Sequence, residues 1–416
     1  MKLLRLSLLC LFVLLLSTAL AMPGIVGPKV EEVWKQQLGQ NRGVSVAEYR
    51  RGWFGARATT ALQARDGATE LRSKIQHGPL LFTAEGPRLG AVYSETRLST
   101  ERLQPQLRAQ LEQFYGRLEH SPLVLESLVG FDNRVHNTLH LEPFTRSDAG
   151  GKLKFDGGTL QFETDYRGAA LDGTLQLGAS RLLQGGIEKF RSAQASGKFH
   201  YVVAARRGEA SIQLPQLHSD SDSGPLELHN ADLQLNIQLL NSGLLKLVGD
   251  LNLPQVQSAT PVTSLKQHLT LPQISVADLG HYLGALLAPP ADGNWQRVMR
   301  RPLQLQQQLA IQSANGPMLV DADLDWRGLS TAARPVNMAP DQWLVPLTGD
   351  VTFAAAEQAL MQSPLVGQAM TLRKYGLLLE DGDELQMHLQ VKRGQLQVNG
   401  QPLPADLFMM ALMGQF

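Results

Sequence analysis

The chain has 416 residues, and its 38 Lys and Arg balance 38 Asp and Glu, so the formal net charge is zero. This balance excludes a typical nucleic-acid-binding protein, which needs a basic excess to neutralise phosphates. The single cysteine excludes a disulfide framework or a thiolate zinc cluster. A content of 43% hydrophobic and 18% charged residues is typical of a globular protein rather than a disordered or polytopic membrane protein.

The N-terminus has the pattern of an export signal. Lys2 and Arg5 precede an uncharged apolar run, Leu6 to Met22. Small residues at Ala19 and Ala21 predict cleavage near Ala21. The alternative for residues 1–22 is an uncleaved membrane anchor, since about 20 apolar residues cross a bilayer core. Both interpretations place the rest of the chain outside the cytoplasm, because the positive end stays inside.

Helical spacing follows the apolar run. Pro23-Gly24 is expected to stop any helix begun in that run, and the pattern from Pro28 to Gln40 predicts a short amphipathic helix. A second helix is predicted from about Thr100 to Leu118. A shorter helix is predicted between Pro122 and Gly130.

The segment between the first two helices contains a cluster of cations and aromatics. It reads as a strand, a Gly-marked turn and a second strand over residues 44–62. The arginines and rings could hold an anionic lipid headgroup near a membrane; alternatively the rings pack in the core while the arginines stack or form ion pairs. Packing is the favoured interpretation. The candidate interaction residues are Tyr49, Arg50, Arg51, Gly52, Trp53 and Phe54.

After about Val135 the apolar residues recur with period two, as in Leu233, Leu235 and Ile237. This alternation predicts strands with one buried and one wet face, joined by Gly and Asp turns. We therefore expect a mainly β (α+β) fold: a long, curved antiparallel sheet with an N-terminal helix and a few covering helices, one of them from Glu357 to Met370.

Prolines recur in a short unit, polar-Leu-Pro-Gln-aliphatic, at Pro215, Pro254 and Pro272. Since proline cannot donate to a ladder, each is predicted to mark an edge or a strand leaving the sheet. The length favours two lobes within residues 23–416, with a boundary near 210–225 or 289–293.

Several segments together resemble the YdgA-like bacterial family of unknown function. They are Val30 to Lys35, Tyr49 to Phe54, Gly197 to His200, and Gln395 to Gly400. The resemblance implies a Gram-negative envelope protein in the periplasm, either released after cleavage or associated with the inner membrane. It supplies no catalytic residues.

Candidates for chemistry are few. His136 and His140 are four residues apart, but Asn137 stands where a zincin motif has Glu. Asp321, Asp323 and Asp325 resemble the start of a calcium loop that then lacks its Gly and its Glu. Nucleophile elbows and phosphate-binding loops are missing from the sequence. We therefore predict no enzyme activity, metal or cofactor.

The C-terminal residues Leu407 to Met413 are apolar on every side. They could close one end of the sheet, form a self-association contact, or plug a groove. The function hypothesis is a non-catalytic envelope protein with a β-groove for a lipid or other amphiphile. The alternative is a self-associating or envelope-assembly protein, hence a homo-oligomer; a remote alternative is a hydrolase, which needs His136 or His140 in a cleft beside a Ser and a carboxylate.

Overall fold

The computed structural model describes residues 22–36, 43–64, 67–132, 134–148, 151–165, 169–221, 224–240, 243–287, 299–329, 344–392 and 394–408. The predicted signal or anchor up to residue 21, the candidate boundary at 289–293 and the tail from Met409 to Met413 lie outside these residues. The helices are α1 (22–36), α2 (Pro105–Tyr115), α3 (Val276–Leu287), α4 (Glu357–Met361) and α5 (Val366–Lys374), and residues 405–408 form a helical turn.

Strands make up most of the fold. In chain order they are β1 (Val44–Arg51), β2 (Gly55–Ala64), β3 (Gly67–His77), β4 (Leu80–Thr83), β5 (Gly86–Leu89), β6 (Val92–Leu98), β7 (Leu123–Val129), β8 (Arg134–Leu141), β9 (Phe144–Asp148), β10 (Gly151–Phe155), β11 (Gly158–Asp165), β12 (Ala170–Leu177), β13 (Ser180–Gln184), β14 (Ile187–Ser192), β15 (Ala195–Val202), β16 (Arg207–Ser221), β17 (Gly224–Leu239), β18 (Leu244–Leu253), β19 (Gln255–Ser258), β20 (Val262–Ser275), β21 (Leu303–Ser313), β22 (Gly316–Trp326), β23 (Leu347–Ala356), β24 (Leu379–Asp381), β25 (Glu384–Lys392), β26 (Gln395–Val398) and β27 (Gln401–Leu403).

The chain divides into two compact units. The first comprises Met1–Glu188 and Gln194–Val203, and the second Lys189–Ala193 and Ala204–Phe416. The division therefore falls within residues 188–204. The candidate boundary near 210–225 lies inside the second unit, where it covers most of β16 and the start of β17.

In the first unit, antiparallel pairing runs in the order β1-β2-β3-β6-β7-β8-β11-β12-β15. The hairpin β4-β5 forms a separate small sheet between β3 and β6 in sequence. Strand β10 pairs with β9 and β13. Helix α1 packs on the face formed by Ala56, Ala58 and Ile75, through Val30 and Trp34.

In the second unit, antiparallel pairing runs β16-β17-β18-β20-β21-β22-β23-β25-β26-β27. Strand β19 continues the line of β18 and pairs with β17. Strand β24 pairs with the first part of β25, and β26 pairs with its last part. Almost every strand pairs with its neighbour in sequence, as short turns permit. The prediction of a mainly β fold with a large antiparallel sheet, an N-terminal helix and a few small helices is confirmed.

The recurring prolines interrupt the pairing of the strands that carry them. Pro215 stands opposite Asn230, which has a φ of 56°, and Pro254 separates β18 from β19. Pro272 lies where β20 shifts register against β18, between Leu271 and Ile274. Because Pro215, Asn230 and Pro254 lie at the same level of neighbouring strands, they form one line of weakened pairing.

Two predicted helices differ from the structure, and a predicted helix stop is itself helical. Pro23 and Gly24 are themselves helical, since both belong to α1, and the run up to residue 21 whose helix they were expected to stop lies outside the described residues. The segment between Pro122 and Gly130 is not a helix but strand β7, held between β6 and β8. The helix predicted from Glu357 to Met370 is two helices, α4 and α5, which are separated around Pro364.

Candidate functional site

The apolar side chains of the second unit share one face of its sheet. Leu233 lies opposite Leu251, and Leu309 lies opposite Val320. Directly paired residues point to the same side of a sheet, so these pairs extend into a continuous surface. We call it the apolar face; it includes Leu233, Leu235, Ile237, Leu247, Leu251, Leu269, Leu305, Leu309, Val320, Leu324, Val351, Phe353 and Leu389.

Helices cover the two ends of the apolar face. At one end Leu279 and Tyr282 of α3 pack on a cluster that includes Leu245 and Leu271. At the other end α4 and α5 bury Leu360 and Leu372 against Met318, Ala355 and Leu385. Between these ends lies a set of half-buried side chains, which we call the central strip: Leu233, Leu235, Leu251, Leu309, Val320 and Val351.

Two amides interrupt the apolar face. Gln267 lies opposite Leu309, and Gln307 lies opposite Leu269 and Ala322. Both glutamines are half-buried. An amide supplies two donors and an acceptor, so this otherwise apolar surface offers polar atoms near its middle.

The opposite face of the same strands is polar and bears a concavity of about 690 Å³, lined by residues that include Asp232, Asp250, His268 and Asp321. Gln308 donates to Asp321 over 2.9 Å and Gln306 donates to Asp323 over 3.2 Å. These aspartates therefore belong to cross-strand hydrogen-bonded pairs. Within the described residues no group of three or more His, Cys, Asp and Glu side chains could hold a metal.

The two histidines singled out in the sequence lie on the polar face of β8 in the first unit. The Nδ1 of His136 is 2.9 Å from a carboxylate oxygen of Glu163, and His140 is 3.8 Å from Glu126. Ser127, on the neighbouring strand, donates to Asn137 on the other face. A nucleophile, base and carboxylate are therefore not brought together at Ser127.

The candidate motif from Tyr49 to Phe54 covers the end of β1 and the turn into β2. Tyr49 packs with the cluster beneath α1, where burial and then Glu31 raise its pKa to about 12. Arg51 forms an ion pair with Glu31 of α1 at 3.1 Å, and Arg50 pairs with Glu48. The turn is closed by the Gly52 amide, which donates to the carbonyl oxygen of Gly55 over 2.7 Å.

The two rings of the turn do not pack in the core, so the favoured interpretation of Trp53 and Phe54 is wrong. Their exposed fractions are 59% and 57%. The Trp53 ring lies against the backbone of α1, since a Cβ built on Gly24 would come within 2.8 Å of it. The motif thus joins α1 to the sheet and presents two aromatic side chains to solvent.

Sequence reasoning missed His77, at the end of β3. Its side chain is 2% exposed beneath Gly27 of α1, and neither ring nitrogen has a hydrogen-bond partner among the described residues. Burial, aided by the nearby Arg51, lowers its pKa. The alternation of side chains along a strand could have indicated this burial, because it places His77 on the same face as Leu71 and Ile75.

The described part of the C-terminal segment ends in the core. Phe408 packs against the clusters beneath α5 and around Val391, whereas Leu407 is 45% exposed. This contact agrees with the sheet-closing role for Phe408.

Among the described residues, every helix is too short or too polar to cross a bilayer.

A family model described as a bacterial protein of unknown function, DUF945, matches residues 1–312. No curated protein and no solved structure matches the chain. The family match covers three quarters of the sequence and is consistent with the YdgA-like resemblance seen in its motifs. The chain belongs to the DUF945 family of bacterial proteins of unknown function.

Proposed function

We propose that this chain is a non-catalytic protein of the bacterial cell envelope whose second unit binds the acyl chain of a lipid or another amphiphile on the apolar face. One observation carries the proposal: the central strip leaves large aliphatic side chains half-buried between two helix-covered ends. Each Å² of apolar surface that a bound ligand removes from water contributes about 25 cal/mol to the free energy of binding.

The dimensions fit an acyl chain. Strands β17, β18, β20, β21, β22 and β23 are consecutive neighbours. Five spacings of about 4.8 Å make the strip roughly 24 Å wide. One leaflet of a bilayer core is about 15 Å thick, so an extended acyl chain fits across these strands.

The amides suit an amphiphile better than a pure hydrocarbon. Gln267 and Gln307 could donate to a carboxylate or ester oxygen while the alkyl part lies on the flanking leucines. Because a ligand that covers these amides would remove them from water, and an amide buried without a partner is costly, a ligand with a polar group is favoured over one without.

The envelope location is supported by the sequence of the N-terminus and by the family resemblance. We infer export to the periplasm, with residues 1–22 either removed near Ala21 or retained as an inner-membrane tether. Mass spectrometry of the protein from a bacterial host decides between these outcomes, because removal of the segment also removes Cys10, the only cysteine.

Ligand binding is tested by cross-linking the full chain, in mild detergent, with a photoreactive long-chain fatty acid. We expect labelled peptides from β17 to β23, and competition by unlabelled fatty acid. Val320→Gln puts a polar group in the central strip and should weaken labelling about tenfold, equivalent to about 1.4 kcal/mol. Leu319→Gln is the matched control, because Leu319 precedes it on the polar face and is 49% exposed.

Equal labelling of both variants, or labelling that does not saturate, would overturn the proposal. Cross-links between two copies through the central strip would instead favour self-association, the alternative function.

A further inference from the structure

One end of the first unit exposes a group of large apolar side chains. We call this group the terminal patch. Their exposed fractions range from 51% to 71%, unusually high for side chains of this size gathered in one place. The patch consists of Trp53, Phe54, Leu80, Phe82, Leu89 and Phe131.

Strand pairing places all six at the same end of the sheet. The turn 52–54 lies beside the end of β3, where the His77 amide donates to the carbonyl oxygen of Phe54 over 2.9 Å. The hairpin β4-β5 is held there by Gln76, whose side chain bonds to both backbone groups of Phe82. The Ala91 amide donates to Val129, immediately before the turn that carries Phe131.

The N-terminal helix begins at the same place. Pro23 is fully buried and lies against Gly78, and Gly24 lies against Trp53. Ile25, on the next position of α1, is 65% exposed. The uncharged run Leu6 to Met22 therefore ends, in the sequence, immediately before the residues of α1 that contact this end of the sheet.

We propose that the terminal patch is a membrane-docking surface that rests in the interface of a phospholipid bilayer. Its composition fits this environment: aromatic rings with leucines are the residues that settle at the headgroup level. Its position fits too, because the terminal patch would lie next to the bilayer if the apolar run Leu6 to Met22 entered it. The surface lies in the first unit and does not depend on a ligand in the second.

The charges near the patch decide what kind of bilayer it recognises. Arg88 pairs with Glu85 at 2.5 Å, Arg51 with Glu31 at 3.1 Å, and Arg50 with Glu48. Since carboxylates already neutralise these cations, apolar contact drives docking rather than attraction to anionic lipids. Docking should therefore persist on zwitterionic lipid and at high salt.

The test measures how deep single residues lie in vesicles of zwitterionic phosphatidylcholine that contain the full chain. In a Cys10→Ser background, Phe82→Cys, Leu89→Cys and Phe131→Cys each carry one nitroxide spin label. The control is Phe114→Cys on α2: Phe114 is 48% exposed and lies near Phe144, at the other end of the sheet. We expect the three patch labels to be accessible to oxygen and shielded from a water-soluble nickel chelate, and the Phe114 label to be open to the chelate.

Patch labels as accessible to the chelate as the label at residue 114 would overturn the proposal. Labels shielded from both reagents, with spectra that broaden as the protein concentration rises, would also overturn it in favour of contact between copies. Neither result bears on fatty-acid labelling in the second unit, so the two proposals fail independently.

Discussion

At the scale of residues, the least expected feature is a set of unpaired polar atoms buried between α1 and the sheet. The indole nitrogen of Trp34, the hydroxyl of Tyr49 and both nitrogens of His77 are buried with no hydrogen-bond partner among the described residues. An unpaired buried polar group costs about 1–3 kcal/mol. The contact between α1 and the sheet is thus less stable than its apolar area alone would make it.

His77 makes this contact sensitive to acid. Its folded pKa lies below the ordinary 6.5, so the unfolded chain binds more protons between these two values. Stability is complete above about pH 6.5 and falls as the pH drops towards the folded pKa. We expect the free energy of unfolding, measured with urea, to fall less between pH 7.5 and 5.5 in His77→Gln than in the wild type.

The exposed His120 is the matched control. His120→Gln should keep the wild-type pH dependence; an equal dependence in all three proteins would show that His77 does not titrate on unfolding.

The motif at residues 49–54 shows what sequence can and cannot predict at this scale. Its strand-turn-strand path follows from Gly52 and from alternation, and that path is confirmed. The direction of Trp53 and Phe54 does not follow, because side chains in a turn leave the two-residue parity of the strand. Their outward direction is seen only in the structure, in which both rings are largely exposed and Trp53 lies beside α1.

At the scale of elements, the error at β7 has a physical cause. Its sequence is apolar at Leu123, Val124, Leu125, Leu128 and Val129, a spacing that fits a helix as well as a strand. Pairing with β6 and β8 decides that this segment is a strand. Neither partner belongs to the segment, because β6 lies well before it in the sequence and β8 follows it. Where one face is clearly polar, as in β17 and β21, alternation alone was sufficient.

The helices at the end of the apolar face are expected to contribute strongly to stability. Leu360 of α4 is 3% exposed within the cluster that includes Met318 and Leu385. Leu360→Ala should lower the free energy of unfolding of the second unit by about 2–5 kcal/mol, through lost burial and a cavity. Urea denaturation followed by circular dichroism measures this change.

Leu365, four residues after α4, is 51% exposed. Leu365→Ala should change stability by less than about 0.5 kcal/mol. Similar losses in both variants would mean that α4 does not hold the cluster together.

At the scale of the whole molecule, the zero net charge gains a structural explanation. Polar strand faces are covered by amides and by histidine–carboxylate pairs such as His268 with Asp250 and His388 with Asp350, each at 2.6 Å. Such surfaces stay wet with few net charges. The mainly β class could be predicted from this pattern, but the division at residues 188–204 could not, because it depends on which strands contact one another.

This charge balance has a measurable consequence. The sequence pI is about 7.2, so the full chain carries little net charge near neutral pH. Proteins near zero charge associate most readily. We expect static light scattering in mild detergent to show a maximum in apparent mass near pH 7, with lower values near pH 5.5 and pH 9. A profile that is flat across this range would contradict the expectation.

The order of strand pairing bears on how the chain acquires its structure. From β16 to β23 nearly every ladder joins strands that follow each other closely in sequence, so few long loops must close before contacts form. Each new strand can therefore add to the edge left by the one before it. A polypeptide that emerges end-first from a narrow channel, whether ribosome or translocon, can assemble this architecture hairpin by hairpin, without waiting for its C-terminus.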